Sequence, residues 1–175
     1  MRLFLTIPIA LAFACGSFDG PPPPSPSELE VRGGCGDVVF YAWTRPESRI
    51  RSRIVVSYPG LLDEALASGE TIKTAVGVND PNLRLVIESG EQLDSACSDD
   101  GALPIDVTTF EAVSGVATFT VVPTPTDEIV GCARGRASVS LDELIVEAES
   151  EIFDIEPAVI EAPELPGPAP DTGDC

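Results

Sequence analysis

Apolar and polar residues alternate along most of the chain from residue 37 onward, a pattern typical of β-strands with one buried face. Turn signals such as YPG, NDPN, ESGE and SDDG recur between the alternating segments. We therefore predict an all-β fold, an antiparallel β-sandwich of the immunoglobulin-like kind with about eight strands. The predicted strands are 37–44, 49–58, 71–78, 83–89, 105–113, 116–122, 136–149 and 151–160.

The same pattern predicts four local features. Ser114-Gly115 predicts a tight hairpin between two strands, and the 136–149 strand is expected to bend near Asp142. GLLDEALASGE, residues 60–70, has apolar residues at helical spacing and predicts a short helix. On the first strand we expect one face, formed by Val39, Tyr41 and Trp43, to lie in the core.

The apolar run from Leu3 to Phe13 follows Arg2 and is too short to span a bilayer as a helix, which needs about 20 residues. Small residues end the run, so residues 1–14 are interpreted as a signal peptide cleaved after Ala14. The segment LAFAC resembles the lipobox of bacterial lipoproteins, which implies that Cys15 carries lipid. Ordinary signal-peptidase cleavage at the same bond is the alternative.

A proline tract, PPPPSPS at residues 21–27, follows Cys15 and favours polyproline II, a semi-rigid conformation. We interpret residues 15–34 as a lipid-anchored proline-rich tether and residues 35–161 as the β-sandwich domain. Residues 162–175 are predicted to be a proline-rich C-terminal tail. Both ends are expected to be disordered.

The cysteines after Cys15 are an even set, and in an exported chain such a set indicates disulfides. No C-x-x-C pair is present, so a zinc or thioredoxin-like motif is not supported. Of the three connectivities, we favour Cys35–Cys97 and Cys132–Cys175, since the second would hold the tail.

Charge and composition exclude several functions. The chain has 29 acidic and 10 basic residues, a net charge of −19, so it lacks the basic surface that nucleic acid requires. It contains no histidine, which removes Ser-His-Asp and Cys-His catalysis and imidazole metal sites. We predict no catalytic residue, no cofactor and no metal.

Arg49, Arg51 and Arg53 alternate along one predicted strand and would share a face. An anion or ligand face is one interpretation. We favour ion pairs within the molecule, with the Glu147–Glu151 segment as the leading partner. Two acidic turns could instead bind Ca²⁺, although we favour ordinary turn chemistry for both. They contain Asp99, Asp100 and Asp106, and Asn79, Asp80 and Asn82.

The arrangement of several segments resembles uncharacterised envelope lipoproteins of bacteria such as myxobacteria. These segments are GCGDVVFYA (34–42), LLDEALASGE (61–70), AVSGVATFTV (112–121) and ASVSLDELIVE (137–147). The resemblance implies a cell-envelope location and a sandwich fold and brings no known activity. We therefore expect an outer-membrane-anchored binding or structural module with an envelope protein or glycan as partner. A Ca²⁺-dependent adhesion or glycan-binding module is the alternative, and a carboxylate-dependent hydrolase is a third.

Overall fold

The computed structural model describes residues 20–35, 38–44, 50–91, 93, 105–124 and 133–166. Within that part of the chain, nine strands and one α-helix account for most residues, which confirms the all-β prediction. A single 3-10 turn, Pro26–Glu28, precedes them. The elements are β1 (Val31–Cys35), β2 (Val39–Trp43), β3 (Ile50–Ser57), α1 (Leu61–Ser68), β4 (Ile72–Gly77), β5 (Arg84–Glu91), β6 (Ile105–Pro123), β7 (Ala133–Ala148), β8 (Glu151–Ile155) and β9 (Ala158–Pro166).

The strands belong to one hydrogen-bonded sheet in the order β1-β2-β3-β5-β6-β7-β8, and β4 also pairs with β6 and β9 with β7. Every pairing is antiparallel. The finer prediction of an immunoglobulin-like sandwich is not confirmed, because the described strands are joined by one continuous path of backbone hydrogen bonds.

The two longest strands connect the halves of this sheet. The first part of β6 pairs with β5 and its second part with β4, while β7 pairs first with β9 and then with β8. Between the two parts the β6–β7 register shifts at Ser114, where Gly115 has a φ of 138° and Glu143 opposite has a φ of 51°. Such bulges bend a strand and increase its twist.

The predicted hairpin at Ser114-Gly115 is therefore wrong, because β6 runs through it as one strand of 19 residues. Glycine permits a bulge for the same conformational reason that it permits a turn. A bend is also predicted near Asp142. This residue lies in β7 beside Glu143, which has positive φ, directly opposite the Gly115 bulge.

The curled sheet encloses a core built from both halves. Phe40 of β2 lies 6.0 Å, between ring centroids, from Phe119 of β6, and Tyr58 lies 5.4 Å from the same ring. At the ends of the sheet β1 lies against β9, where a Cβ atom at Gly34 would come within 2.5 Å of Cβ of Ala162. The absence of a side chain at Gly34 thus permits these strands to approach.

The core face of β2 is the opposite of the predicted one. Phe40 and Ala42 are buried, whereas Val39 and Tyr41 are only half-buried. The side chain of Trp43 lies outside the described residues. Tyr41 lies on the outer face because its ring covers the backbone of Gly33, the residue paired with it on β1.

The helix agrees with the prediction, whereas the last predicted strand and the start of the predicted tail differ from it. The helix at 60–70 is confirmed as α1, which is capped by Gly69 with a φ of 68° and an amide hydrogen bond of 2.8 Å to the Ala65 carbonyl. The last predicted strand is two strands, β8 and β9, and β9 continues to Pro166. Residues 162–166 therefore belong to the sheet, and the prediction that they are part of the tail is wrong. No helix among the described residues has the length and apolar character to span a membrane.

The turn between β7 and β8 generates a stability prediction. Glu149 and Ser150 link the paired residues Ala148 and Glu151, and both have positive φ, 49° and 72°. A two-residue hairpin of this kind prefers Asn-Gly, because other residues incur about 1–2 kcal/mol in the left-handed region.

We expect the double substitution E149N/S150G to raise the free energy of unfolding by about 1 kcal/mol, which corresponds to a melting temperature about 2–4 °C higher. Thermal unfolding followed by circular dichroism measures it. Ser150→Ala is the matched control and should bring no gain, since alanine keeps a Cβ atom at the strained position. A lower melting temperature for E149N/S150G would show that the turn has another geometry.

The bend of β6 generates a second prediction. A Cβ atom at Gly115 would lie 3.0 Å from Cα of Leu144 and 3.3 Å from the Asp142 carbonyl oxygen, at a φ that side chains rarely adopt. We expect Gly115→Ala to lower the free energy of unfolding by about 1–3 kcal/mol. In urea denaturation, Gly77→Ala is the control, since its nearest neighbour would be 4.0 Å away. Equal midpoints for the two variants would refute the bulge.

Candidate functional site

The most unusual feature of the fold is residues 20–30, which we call the proline segment. Pro24 and Pro26 are buried, and Leu29 is 1% exposed. Ser25 has φ −73° and ψ 128°, close to polyproline II, and the chain then turns through the 3-10 turn, with Pro26 in its first position. The proline segment is therefore packed on the sheet along most of its length.

Leu29 packs in the opening between the two ends of the curled sheet. It belongs to the same buried cluster as Ala42 and Ile54, on β2 and β3, and Ile160 on β9. The gap that these side chains and their neighbours surround is too small for a water molecule. Leu29 thus connects β9 to β2 and β3 by apolar contact, since no backbone ladder joins these strands in the described part of the chain.

Arg32 joins the proline segment to β9. Its guanidinium group donates hydrogen bonds to three carbonyl oxygens: from Nε to Leu29 at 3.2 Å, from Nη2 to Pro26 at 3.1 Å and from Nη1 to Val159 at 2.9 Å. The planar fork of arginine suits this divergent set of acceptors, which the single ammonium group of lysine does not match.

Ser89 holds the start of the proline segment. Among the residues that the structure describes, it is the one polar side chain that is fully buried. Its hydroxyl donates to the Pro22 carbonyl at 3.3 Å and lies 2.8 Å from the Ser52 hydroxyl. Because a hydroxyl has one proton, Ser52 is the donor of the second bond. The proline segment therefore supplies the acceptor that a buried hydroxyl needs.

The prediction that residues 15–34 form a proline-rich tether that lets the domain stand clear of the membrane is wrong for residues 20–34. Pro22 to Leu29 are anchored at several points, and Val31–Cys35 is strand β1. Proline loses little conformational freedom on folding, so packing this segment costs less entropy than packing an ordinary loop.

The arginines predicted to share a face are engaged within the molecule where the structure describes them. Nε of Arg53 lies 2.6 Å from a carboxylate oxygen of Glu88, directly opposite on β5, and both side chains are largely shielded from solvent. Nη1 of Arg51 donates to the Leu93 carbonyl at 3.1 Å. Arg49 lies outside the described residues.

The intramolecular pairing that we favoured is thus confirmed for Arg53, but the expected partner is wrong. The segment Glu147–Glu151 lies at the end of β7, in the following turn and at the start of β8, and neither strand neighbours β3. Direct cross-strand pairs form only between adjacent strands, which is why Glu88 takes this role.

Two other features fall in the described part of the chain. Asp80 accepts a hydrogen bond of 2.8 Å from the Asn82 amide, which is turn chemistry, as expected. No group of three or more acidic or cysteine side chains among the described residues is placed to hold a metal ion. Asp106 is exposed on β6, and Asp99 and Asp100 lie outside the described residues.

The outer face of β6, β7 and β9 carries a groove of about 340 Å³ that sequence analysis missed. Hydroxyl groups and opposite charges line it, so it can hydrogen-bond a polar ligand. Three strands form it, and only their register brings these side chains together. Its polar lining residues are Thr120, Arg136, Ser138 and Glu161.

The predicted lipid and disulfide positions are not covered by the structure. Cys15, Cys97, Cys132 and Cys175 lie outside the described residues, and only the backbone of Cys35, in β1, is described. The lipid attachment and the two disulfides therefore stay predictions. No protein-family model, curated protein or solved structure matches the chain.

The packing of the proline segment generates a prediction. We expect Leu29→Ala to lower the free energy of unfolding by about 2–5 kcal/mol, because it leaves a cavity in the core. Urea denaturation followed by circular dichroism measures the loss. Glu28→Ala is the matched control, since Glu28 is exposed on the adjoining turn, and it should change stability by less than about 0.5 kcal/mol. If both variants unfold like the wild type, Leu29 is not part of the core.

Proposed function

We propose that the protein is a lipid-anchored protein of the bacterial cell envelope, held at the outer membrane through Cys15, with a β domain that acts as a binding or structural module. The observation that carries this proposal is the position of Cys15. An apolar run ends in Ala12, Phe13 and Ala14 directly before it, and the first described residue of the folded domain, Gly20, follows five residues later.

The cysteine set supports the anchor. Five cysteines are present, and use of Cys15 for lipid leaves four that can form the two disulfides expected of an exported domain. A diacylated cysteine supplies two or more acyl chains, and two membrane signals suffice for stable attachment where one chain does not. Gly16, rather than an aspartate, follows the cysteine, which favours the outer membrane.

Charge and fold support a module that binds or supports other envelope components. With 29 acidic and 10 basic residues, the chain lacks the positive charge needed to hold nucleic acid or an anionic lipid surface by itself. The covalent anchor therefore supplies membrane attachment. The polar groove on β6, β7 and β9 is the part of the described surface that we assign to a polar partner such as a glycan.

The test is Cys15→Ser in a bacterial host with an outer membrane, with Ser17→Ala as the matched control. We expect the wild type and Ser17→Ala to partition into detergent and to carry the mass of a lipid on the N-terminal peptide. Cys15→Ser should lose both properties, because its hydroxyl cannot accept the thioether-linked lipid. Mass spectrometry and detergent phase separation measure these outcomes.

One outcome would contradict the lipid anchor at Cys15. An unlipidated wild-type protein recovered from the soluble periplasmic fraction, with Cys15 as a free N-terminal residue, would show that residues 1–14 are an ordinary signal peptide and that the anchor is wrong.

A further inference from the structure

We propose that the packed proline segment orients the domain on the membrane, so that one end of the sheet faces the bilayer and helix α1 points away from it. The partner of the first end is a lipid surface. This inference rests on the lipid attachment proposed for Cys15, and it adds which surface of the domain the membrane covers and which it leaves open.

The end that faces the bilayer, which we call the anchor pole, is defined by contacts of the proline segment. The Pro22 carbonyl accepts from Ser89 near the end of β5, and the Ser25 hydroxyl lies 3.4 Å from the carboxylate of Glu156, between β8 and β9. Arg51, at the start of β3, donates to the carbonyl of Leu93 just beyond β5, so the start of β3 lies at the same pole as the end of β5. Gly20 thus emerges at this pole.

Helix α1 lies at the other end. β3 runs away from the anchor pole from Arg51 to Ser57, and α1 begins shortly after it. The distance from Arg51 to Tyr58 along an extended strand is about 23 Å. Leu62 of α1 lies near Gly135, which pairs with Pro123 at the end of β6. Gly135 and Pro123 both lie at the end of the sheet that is remote from Pro22.

The length of chain between the lipid and the domain decides the orientation. From Cys15 to Gly20 a chain spans at most about 18 Å, even when it is fully extended. This is shorter than the length of β3 alone, so a lipid at Cys15 keeps the anchor pole within about 18 Å of the bilayer and excludes the inverted orientation, in which the α1 end would face the bilayer. Had residues 20–34 been a free spacer, the domain could have rotated freely.

Geometry, rather than charge, produces this orientation. The anchor pole carries Arg51, but Glu91, at the end of β5 beside β3, and Glu156, 3.4 Å from the Ser25 hydroxyl, lie at the same pole, and the chain as a whole has a net charge of −19. Electrostatic docking would require a basic surface and would weaken as salt screens the charges. We therefore expect the same orientation on neutral and anionic bilayers and at low and high salt.

The experiment uses the lipidated full-length protein in phosphatidylcholine vesicles that contain a nickel-chelating lipid. A spin label is attached to a genetically encoded keto amino acid in place of Glu156, at the anchor pole, or of Glu70, just beyond α1. Both positions are exposed. We expect the membrane-bound nickel to relax the label at 156 several-fold more strongly than the label at 70. Added phosphatidylglycerol or salt should not change this ratio.

A matched variant tests the cause. An insertion of about 20 Gly and Ser residues between Ser17 and Phe18 gives a flexible spacer with an average span of about 25 Å, and it should bring the two relaxation enhancements close together. Equal enhancements in the lipidated protein without the insertion would overturn the orientation but leave the anchor intact. Mass spectrometry that finds no lipid at Cys15 in the same preparation would overturn both.

Discussion

The insertion of Leu29 between β9 and the β2–β3 pair is the contact on which the rest of the structure depends. The sheet curls until β1 lies against β9, but no ladder among the described residues joins these two strands, so side-chain contacts hold the closure. Leu29 fills this opening, Arg32 joins the carbonyls on both sides of it, and the hydroxyl of Ser89 holds the start of the same segment. A stretch that is typical of a linker is therefore part of the core.

This arrangement changes how a membrane anchor would act on the domain. A free proline spacer would separate the anchor from the fold, and the domain would sample many orientations. Because the proline segment is packed, a pull on the N-terminus is transmitted to Leu29 and then to β9 and the core. Under the proposed attachment, the anchor, the orientation and the stability of the fold would be linked through one short segment.

Local patterns in the sequence predicted the parts of the fold that depend on neighbouring residues. Period-two alternation predicted most strands, and the spacing of Leu62, Ala65 and Leu66 predicted α1. The buried face of β2 could not be predicted, because the segment VVFYAW is apolar at both alternating sets of positions. The buried face depends on Gly33 of β1, because its lack of a side chain lets the Tyr41 ring pack on the outer face.

Features that depend on distant residues were missed for a common physical reason. Ser114-Gly115 has the composition of a turn, and only the continuous partner β7 makes it a bulge. Arg53 pairs with Glu88 because of strand order, which alternation does not reveal. The packing of the proline segment rests on contacts such as that between Arg32 and Val159, which are 127 residues apart. The polar groove likewise depends on the register of three strands.

Native-state hydrogen exchange at the amide of Leu29 tests the central claim most directly. This amide donates to the Pro26 carbonyl at 3.3 Å, and its residue is buried. If the proline segment is part of the core, the Leu29 amide should be protected with a free energy of opening close to that of Phe40, because both become exposed only when the domain unfolds. Exchange of Leu29 at the rate of an unstructured peptide, while Phe40 stays protected, would contradict the account.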